Sequence, residues 1–511
     1  MNLSILNKEQ KDSVTVGNGP VLVIAGAGSG KTRVLTYRIA YLIEEMGYNP
    51  QNILAVTFTN KAAKEMKVRV EALLGEGLKG QPTMGTFHSI GVRILRREIS
   101  ILGYSNNFTI IDTDDQNKLL KEIIKAKDID ERYSVAFFKA EISRAKNLLQ
   151  TPGDLNLQLQ PEMEEMVREV YTSYANELHK QNLVDFDDLL VLPVKIFEHR
   201  KDILEKYQNQ FKYILVDEYQ DTNHVQYLFL KYLAHKGDIF VVGDDAQSIY
   251  GFRGSNIRNI LDFEKDFPNA VTFILEQNYR SSKHILAVAQ EVIELNKDQK
   301  PKILWTENDA GDRVRVEEVE NERAEALFVV KKIVGLANGE DHESQVVEDE
   351  EEVTYEQEDT KPFSILDHFL KSQKARGAII STFIPRLIAS HSSLNNFAVL
   401  FRTHSQSRAL EEAFIHSNIP YQIVGGVKFY ERKEVKDVLA YLRLIMNIRE
   451  TLSLKRILNI PPRGLGEKSA AELVLLVESL GEGLGAGDVS GLLEGIRLSV
   501  KQKEQARIFF S

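Results

Sequence analysis

The chain alternates short apolar runs with longer amphipathic stretches, and the apolar runs predict the strands of a parallel sheet. Residues 21–25 and 53–58 are continuous apolar runs, as expected of strands that are buried on both faces. Similar runs lie at 213–216, 238–242 and 271–275. Each run is followed by polar residues and then by apolar positions at helical spacing. This alternation predicts an α/β fold with a doubly wound parallel sheet and a ligand site along the edge where the strands end.

Helical periodicity takes over between residues 112 and 181, where apolar residues recur at helix spacing among charged ones. Strands resume after this stretch. We therefore predict a helical subdomain, residues 112–181, inserted into a first domain that comprises residues 1–111 and 182–280.

A second α/β domain is predicted over residues 281–449. Its expected strands lie at 314–319, 397–401 and 419–426, the last of these ending in a turn, and helices are expected between and after them. Residues 450–511 predict the beginning of a helical accessory subdomain.

Composition excludes several classes of protein. The 511 residues include no cysteine, which excludes disulfides, thiolate zinc sites and iron–sulfur clusters. The N-terminus lacks the apolar core of a signal peptide, and no apolar run is long enough to cross a bilayer. We therefore expect a cytoplasmic protein without a membrane partner.

The net charge of −10 comes from one segment. Eleven acidic residues and no Lys or Arg lie between Lys332 and Lys361, so the rest of the chain has a net charge of +1. A near-neutral remainder can still carry a basic groove for nucleic acid. The acidic stretch, about 338–362, predicts a disordered loop. A solvated linker explains it more simply than a partner-binding or DNA-mimicking segment.

The strongest chemical motif follows the first strand. Its residues are Ala25, Gly26, Ala27, Gly28, Ser29, Gly30, Lys31 and Thr32. Glycines allow a tight turn whose N–H groups point inward, and a helix that begins near Lys31 adds its positive dipole end beneath a phosphate. We expect Lys31 to contact the β- and γ-phosphates and the Thr32 hydroxyl to bind Mg²⁺. The alternative is a glycine-rich turn that binds nothing.

Two adjacent acidic residues, Asp217 and Glu218, follow the strand at 213–216. Asp217 is placed to bind Mg²⁺ and Glu218 to polarise a water molecule. Two later strands end in polar clusters that contain Gln247 and Arg280. Acidic and amide side chains that follow successive strands in this way predict one catalytic site, at the edge of the sheet where those strands end.

Several weaker sequence signals have a structural explanation as well as a functional one. Gln10, upstream of this glycine-rich motif (the P-loop, residues 25–32), offers an amide that matches an adenine edge, but it also fits a surface helix start. Phe58 and His88 follow predicted strands, where ligands bind, yet a core aromatic and a helix cap are equally good interpretations. The acids around Asp185 are best explained as a helix N-terminus.

Together these motifs resemble those of the UvrD/Rep/PcrA family of superfamily 1A DNA helicases. The resemblance runs from about Leu6 to Gly466, apart from the acidic segment, and the P-loop that starts with Ala25 is the family's own variant. The other matching segments are 57–63, 85–89, 216–221, 243–250, 275–281, 419–429 and 432–437.

The resemblance implies two RecA-like domains that close on Mg-ATP and move 3′ to 5′ along single-stranded DNA, in DNA repair or replication. By motif match the cofactor contacts are Gln10 and Tyr279 for adenine, and Lys31, Thr32 and Asp217 for the phosphates and Mg²⁺. Glu218 would orient the attacking water, Gln247 would sense the γ-phosphate, and Arg280 would stabilise the charge that develops on it.

The resemblance also implies contacts to single-stranded DNA and to single-strand/duplex junctions. Phe58, Tyr250 and Phe252 would stack on bases, each worth about 1–3 kcal/mol. The other expected DNA contacts are Asn60, Thr86, His88 and Arg253. Phe252 replaces the family's usual Trp, which predicts weaker base holding. The segment that begins at Arg463 resembles a duplex-phosphate contact, with an ordinary turn as the alternative.

Two later family motifs, Thr-x-His-x-x-Lys-Gly-Leu-Glu and Tyr-Val-x-x-Thr-Arg-Ala, have no counterpart in the sequence. The second of these carries a further arginine for the γ-phosphate in the family. We therefore expect a C-terminally truncated helicase: a fragment, a split reading frame or half of a two-chain enzyme. A nucleotide-dependent DNA-binding protein with impaired hydrolysis is the main alternative. An unrelated P-loop ATPase or kinase is disfavoured by the Gln247 and Arg280 clusters.

Overall fold

The computed structural model describes residues 1–75, 80–130, 132–234, 237–337, 394–424, 433–447, 450–478, 493 and 498–510. The chain divides into two compact units, Met1–Val314 with Phe429–Ser511 and, separately, Arg315–Lys428. The predicted acidic loop at about 338–362 and the family-like residues 425–432 lie outside the described residues.

A six-stranded parallel sheet forms the centre of the first unit. The strands in chain order are β1 Val21–Ala25, β2 Ile53–Thr57, β3 Thr83–Thr86, β4 Thr109–Ile110, β5 Leu183–Val184, β6 Tyr213–Val216, β7 Ile239–Gly243 and β8 Val271–Leu275. The large sheet has the order β3-β2-β6-β7-β1-β8, and every pairing in it is parallel. The predicted sheet is confirmed, and the carboxyl ends of its six strands meet at one edge.

Helices cover both faces of this sheet. The helices of the first unit up to residue 293 are α1 Lys8–Thr15, α2 Lys31–Glu44, α3 Asn60–Leu74, α4 Phe87–Glu98, α5 Thr113–Ala126, α6 Val135–Asn147, α7 Pro161–Lys180, α8 Asp188–His199, α9 Lys201–Gln210, α10 His224–Leu233, α11 Arg258–Leu261, α12 Phe263–Asp266 and α13 Lys283–Ile293. Of these, α5, α6 and α7 belong to the insertion and not to the sheet faces. In β1, Leu22 and Ile24 belong to one core and Val21 and Val23 to the other, as the two-residue period of a strand requires. No helix in the described part of the chain is long and apolar enough to cross a membrane.

The helical insertion begins after β4 and ends before β5, which are adjacent short strands of the first unit. β4 pairs with β5 in a separate parallel ladder, so the ends of the insertion are held side by side. Its helices α5, α6 and α7 enclose a core of their own, which includes Phe138 and Tyr174. Leu452, from much later in the chain, joins this core.

The remaining helices are α14 Glu322–Ala337 and α15 His404–His416 in the second unit, and α16 Lys433–Met446, α17 Thr451–Ile457, α18 Glu467–Glu478 and α19 Val500–Phe510 in the first. The predicted helices at α14, α15 and α16 are confirmed. In the second unit α14 packs on α15 through a small core that contains Val330 and Phe414.

The strand predictions at 314–319, 397–401 and 419–424 are wrong for the described residues, which form no ladder there. Val316 and Leu400 are each 94% exposed. An apolar run becomes a strand only when a neighbouring backbone accepts and donates its hydrogen bonds, and the described part of this unit supplies none.

Candidate nucleotide and nucleic-acid site

β1 runs directly into the P-loop, and α2 begins at Lys31. Gly28 and Gly30 have φ angles of +68° and +93°, a region that side chains disfavour. The Ser29 hydroxyl donates to the Gly26 carbonyl oxygen at 2.7 Å, which closes the turn. The N–H groups of the first turn of α2 therefore face the loop, in the arrangement that binds phosphate.

Gln10 lies behind this loop and is fully buried. Its Nε2 donates to the Ser29 carbonyl oxygen at 2.8 Å, and its Oε1 accepts from the backbone N–H of Asn7 at 3.3 Å, which completes a capping box at the start of α1. The amide braces the P-loop from inside the protein, so the surface position in the alternative is wrong. The adenine contact of Gln10 stays a prediction.

Asn278 ties the residues after β8 to the P-loop. It is 2% exposed, and its Nδ2 donates to the Ala27 carbonyl oxygen at 2.6 Å. Its Oδ1 accepts from the backbone N–H groups of Arg280 at 2.8 Å and Ser281 at 2.7 Å. Sequence reasoning missed this residue, because its only signal was its place inside the 275–281 motif.

Tyr279 and Arg280 lie beside the loop that Asn278 holds. The Tyr279 hydroxyl accepts from Asn7 Nδ2 at 2.9 Å and donates to Gln277 Oε1 at 2.7 Å, while its ring stays 42% exposed. A Cβ at Gly28 would lie 2.8 Å from the Arg280 Cβ. The structure therefore brings both predicted residues to the P-loop, one with an open aromatic face and one with an exposed side chain.

The acids predicted after β6 lie at the same edge. Asp217 is 4% exposed, and burial, followed by the nearby Glu218 charge, raises its pKa to about 7. Glu218 adopts a left-handed backbone conformation with a φ angle of +51°, a strained geometry that clusters at functional sites. Gln220, which sequence reasoning had not assigned a role, donates from Nε2 to Glu218 Oε2 at 3.0 Å.

Gln247 reaches the P-loop through Asp244. Its Nε2 donates to Asp244 Oδ2 at 2.7 Å, and the same oxygen lies 4.0 Å from Lys31 Nζ. The backbone N–H of Asp244 in turn donates to Gln220 Oε1 at 3.0 Å. The amide predicted to sense the γ-phosphate is thus connected to both the P-loop lysine and the acids after β6.

The chemistry of this edge fits Mg-ATP. Among the described residues no Lys or Arg forms an ion pair with the buried Asp217, and no group of three or more His, Asp or Glu is arranged to hold a metal alone. Mg²⁺ usually takes one or two carboxylates and completes its shell with water and substrate phosphates. Thr32 and Asp217 match that donor set.

The predicted DNA contacts on the other half of the sheet follow β2 and β3. Phe58 is half-buried and packs edge-on against Phe87, with ring centroids 5.5 Å apart. Asn60 is exposed at the start of α3. The Thr86 hydroxyl accepts from the backbone N–H of Ser89 at 3.2 Å and so caps α4. The helix-cap alternative for His88 is therefore wrong.

His88 instead stacks on Phe186, with ring centroids 3.9 Å apart and planes inclined by 25°. Burial lowers the pKa of His88 to about 4, so the ring is neutral at physiological pH. Phe186 is 60% exposed and extends the aromatic surface beyond His88. Sequence reasoning missed Phe186 because its acidic neighbours indicated only a helix start.

A buried ion cluster holds the backbone on both sides of Phe186. Lys146 Nζ lies 2.6 Å from Asp185 Oδ2 and 2.7 Å from Asp188 Oδ1, and all three side chains are less than a tenth exposed. Burial and the charge of Asp185 raise the pKa of Asp188 to about 7. The acids around Asp185 therefore connect α8 to the insertion helix α6 as well as starting α8.

Tyr250 and Phe252 lie on the segment that follows β7. Their rings are 38% and 72% exposed, with centroids 6.1 Å apart. The Arg253 side chain lies outside the described part of the structure. Arg463 turns inward: its Nη1 donates to the Ile457 carbonyl oxygen at 2.8 Å, which favours the ordinary-turn interpretation over a phosphate contact.

Comparison with known proteins identifies relatives over most of the chain. The UvrD/REP helicase N-terminal domain matches residues 6–268, and the UvrD-like helicase C-terminal domain matches 273–356 and 341–482. The chain is 46% identical over 470 residues to the ATP-dependent DNA helicase PcrA of Staphylococcus epidermidis, covering 92% of this chain and 57% of the relative. It is 42% identical over 510 residues to the ATP-dependent DNA helicase PcrA of Staphylococcus aureus, covering 99% of this chain and 62% of the relative. It thus spans about three fifths of these relatives' length.

Proposed function

This chain belongs to the UvrD/REP helicase family, and we propose that it is an ATP-dependent DNA helicase motor that moves 3′ to 5′ along single-stranded DNA in repair or replication. One observation carries the proposal. The P-loop, Asp217 and Glu218, the Asp244–Gln247 pair and the Tyr279–Arg280 segment are joined by hydrogen bonds and close contacts at one edge of the sheet.

In this proposal Lys31 contacts the β- and γ-phosphates, and Thr32 and Asp217 hold Mg²⁺. The bound ion neutralises phosphate charge. Glu218 orients and deprotonates the attacking water, and its left-handed backbone, braced by Gln220, fixes its direction. Arg280 stabilises charge on the γ-phosphate. Adenine lies against the exposed face of Tyr279.

In this proposal DNA binds across the ends of β2 and β3 at the same edge and the segment that follows β7. His88 and Phe186 form a stacked aromatic surface, and Phe58, Tyr250 and Phe252 add further rings. Aromatic platforms of this kind accept any base because every base has a π-face. The substrates we propose are single-stranded DNA and single-strand/duplex junctions.

ATP hydrolysis by the full chain, with and without single-stranded DNA, tests this function. Glu218→Gln should lower DNA-stimulated turnover by about 100-fold or more, the usual contribution of a general base, while nucleotide binding is retained. Glu205→Gln, an exposed glutamate on α9, is the matched control. Binding of nucleotide and DNA without DNA-stimulated turnover would instead favour a nucleotide-dependent DNA-binding protein or half of a two-chain helicase. Absence of nucleotide binding would refute both.

A further inference from the structure

Residues 300–306, which we call the strap, lie against the P-loop and the ends of β7 and β8. The backbone N–H of Lys300 donates to Asp245 Oδ2 at 2.6 Å, and that of Ile303 donates to Glu276 Oε1 at 2.8 Å. The Leu304 side chain packs so closely on the P-loop that a Cβ at Gly26 would have no room. The strap is therefore part of the nucleotide edge, although no motif assigned it a role.

Lys302 is the buried cation of the strap. Its side chain is 5% exposed, and its Nζ lies 3.1 Å from Asp244 Oδ1 and pairs with Asp245 Oδ1. The side chains of Asp244 and Asp245 are 2% and 0% exposed. Buried charges are tolerated only when they are paired and hydrogen-bonded, and Lys302 supplies a paired cation to both of these adjacent carboxyl groups.

Asp244 also faces the P-loop lysine. Its Oδ2 lies 4.0 Å from Lys31 Nζ, while its Oδ1 is held by Lys302. Without Lys302, Asp245 would have no ion-pair partner among the described residues, and Asp244 would keep only Lys31. Opposite charges attract strongly in a poorly solvated site. Lys31 would then be drawn to Asp244 in competition with a phosphate.

We propose that Lys302 is a positioning residue of the nucleotide site: it neutralises the Asp244–Asp245 pair and so leaves Lys31 available to bind phosphate. This inference rests on the nucleotide binding in the proposed function. Lys302 acts through Asp244 and Lys31 and does not itself contact the nucleotide. The ion pair between Lys302 and Asp244 also holds the Asp244 carboxylate in place to accept the hydrogen bond from Gln247 Nε2.

The test measures the affinity of the full chain for a fluorescent ATP analogue with Mg²⁺ and without DNA. Lys302→Met should bind the analogue about tenfold more weakly, equivalent to about 1.4 kcal/mol. Lys300→Met is the matched control on the same strap, because the Lys300 ammonium pairs with Glu264 at the surface and not with Asp244. It should bind like the wild type.

Two double variants separate this role from a merely structural one. Lys302→Met with Asp244→Asn should regain most of the affinity, because the carboxylate that competes for Lys31 is gone. Lys302→Met with Asp245→Asn should regain less, because Asp244 keeps its charge. Thermal unfolding of each nucleotide-free variant shows whether it folds. If Lys302→Met alone does not fold, the two double variants and Lys302→Arg, which should bind like the wild type, make the same comparison.

Each outcome decides between the two proposals. A wild-type chain that does not bind the analogue refutes the proposed function and this inference with it. A wild-type chain that binds while Lys302→Met binds equally well refutes only the role of Lys302. Equal rescue by Asp244→Asn and Asp245→Asn would show that Lys302 supports the fold without acting on Lys31, and it would overturn the inference.

Discussion

Removal of the Asn278 side chain should loosen the P-loop and destabilise the first unit. The side chain makes three hydrogen bonds, to the Ala27 carbonyl oxygen and from the N–H groups of Arg280 and Ser281. Each is worth about 1 kcal/mol net, and a buried group left without a partner costs about 1–3 kcal/mol. Asn278→Ala should therefore lower the free energy of unfolding by about 3 kcal/mol.

Urea unfolding of the nucleotide-free chain, followed by a probe in the first unit, measures this loss. Asn308→Ala is the matched control, because Asn308 Nδ2 contacts the same turn at the Ser281 carbonyl oxygen, but from an exposed position. It should change the free energy of unfolding by no more than about 0.5 kcal/mol. Asn278→Ala should also weaken ATP-analogue binding, since Ala27 and Arg280 lose the side chain that joins them. Equal stability of the two variants would refute this reasoning.

Two further predictions concern the DNA side of the site. Lys146→Met should lower the free energy of unfolding by about 3–5 kcal/mol, because it leaves Asp185 and Asp188 buried without their cation. In the same urea experiment Lys121→Met, at an exposed position, should have little effect. Equal losses in the two variants would contradict the role of Lys146 as the buried cation. His88 has its pKa lowered to about 4 by burial, so the unfolded chain binds the proton more readily, and stability present above about pH 6.5 is lost as the pH falls toward 4. Between pH 7 and pH 4, the free energy of unfolding of His88→Gln should therefore fall by on the order of 2 kcal/mol less than that of the wild type. If the free energy of unfolding has the same pH dependence in the variant and the wild type, the lowered pKa of His88 is contradicted.

Short-range signals explain what the sequence predicts well. The P-loop is a contiguous run in which strand, glycines and lysine are neighbours, so its shape follows from local backbone preferences. The sheet strands are apolar on both faces because helices cover both sides, and this shows as continuous apolar runs. The predictions at 314–319 and 397–401 fail for a related reason: the same apolar signal carries no information about whether a partner strand lies beside it.

The amino-acid sequence by itself determined the α/β class, the positions of five of the six strands of the large sheet, and the residue types at the edge where those strands end. Tertiary structure alone decided which side chains meet there. Asn278 bonds to Ala27 across 251 positions, and Lys302 pairs with Asp245 across 57. Phe186, in the turn before α8, becomes part of a stacked pair only because the fold brings His88 of α4 against it. Such contacts depend on how parallel strands bring distant segments to one edge, and the helical and strand periodicities of a sequence extend over only a few residues.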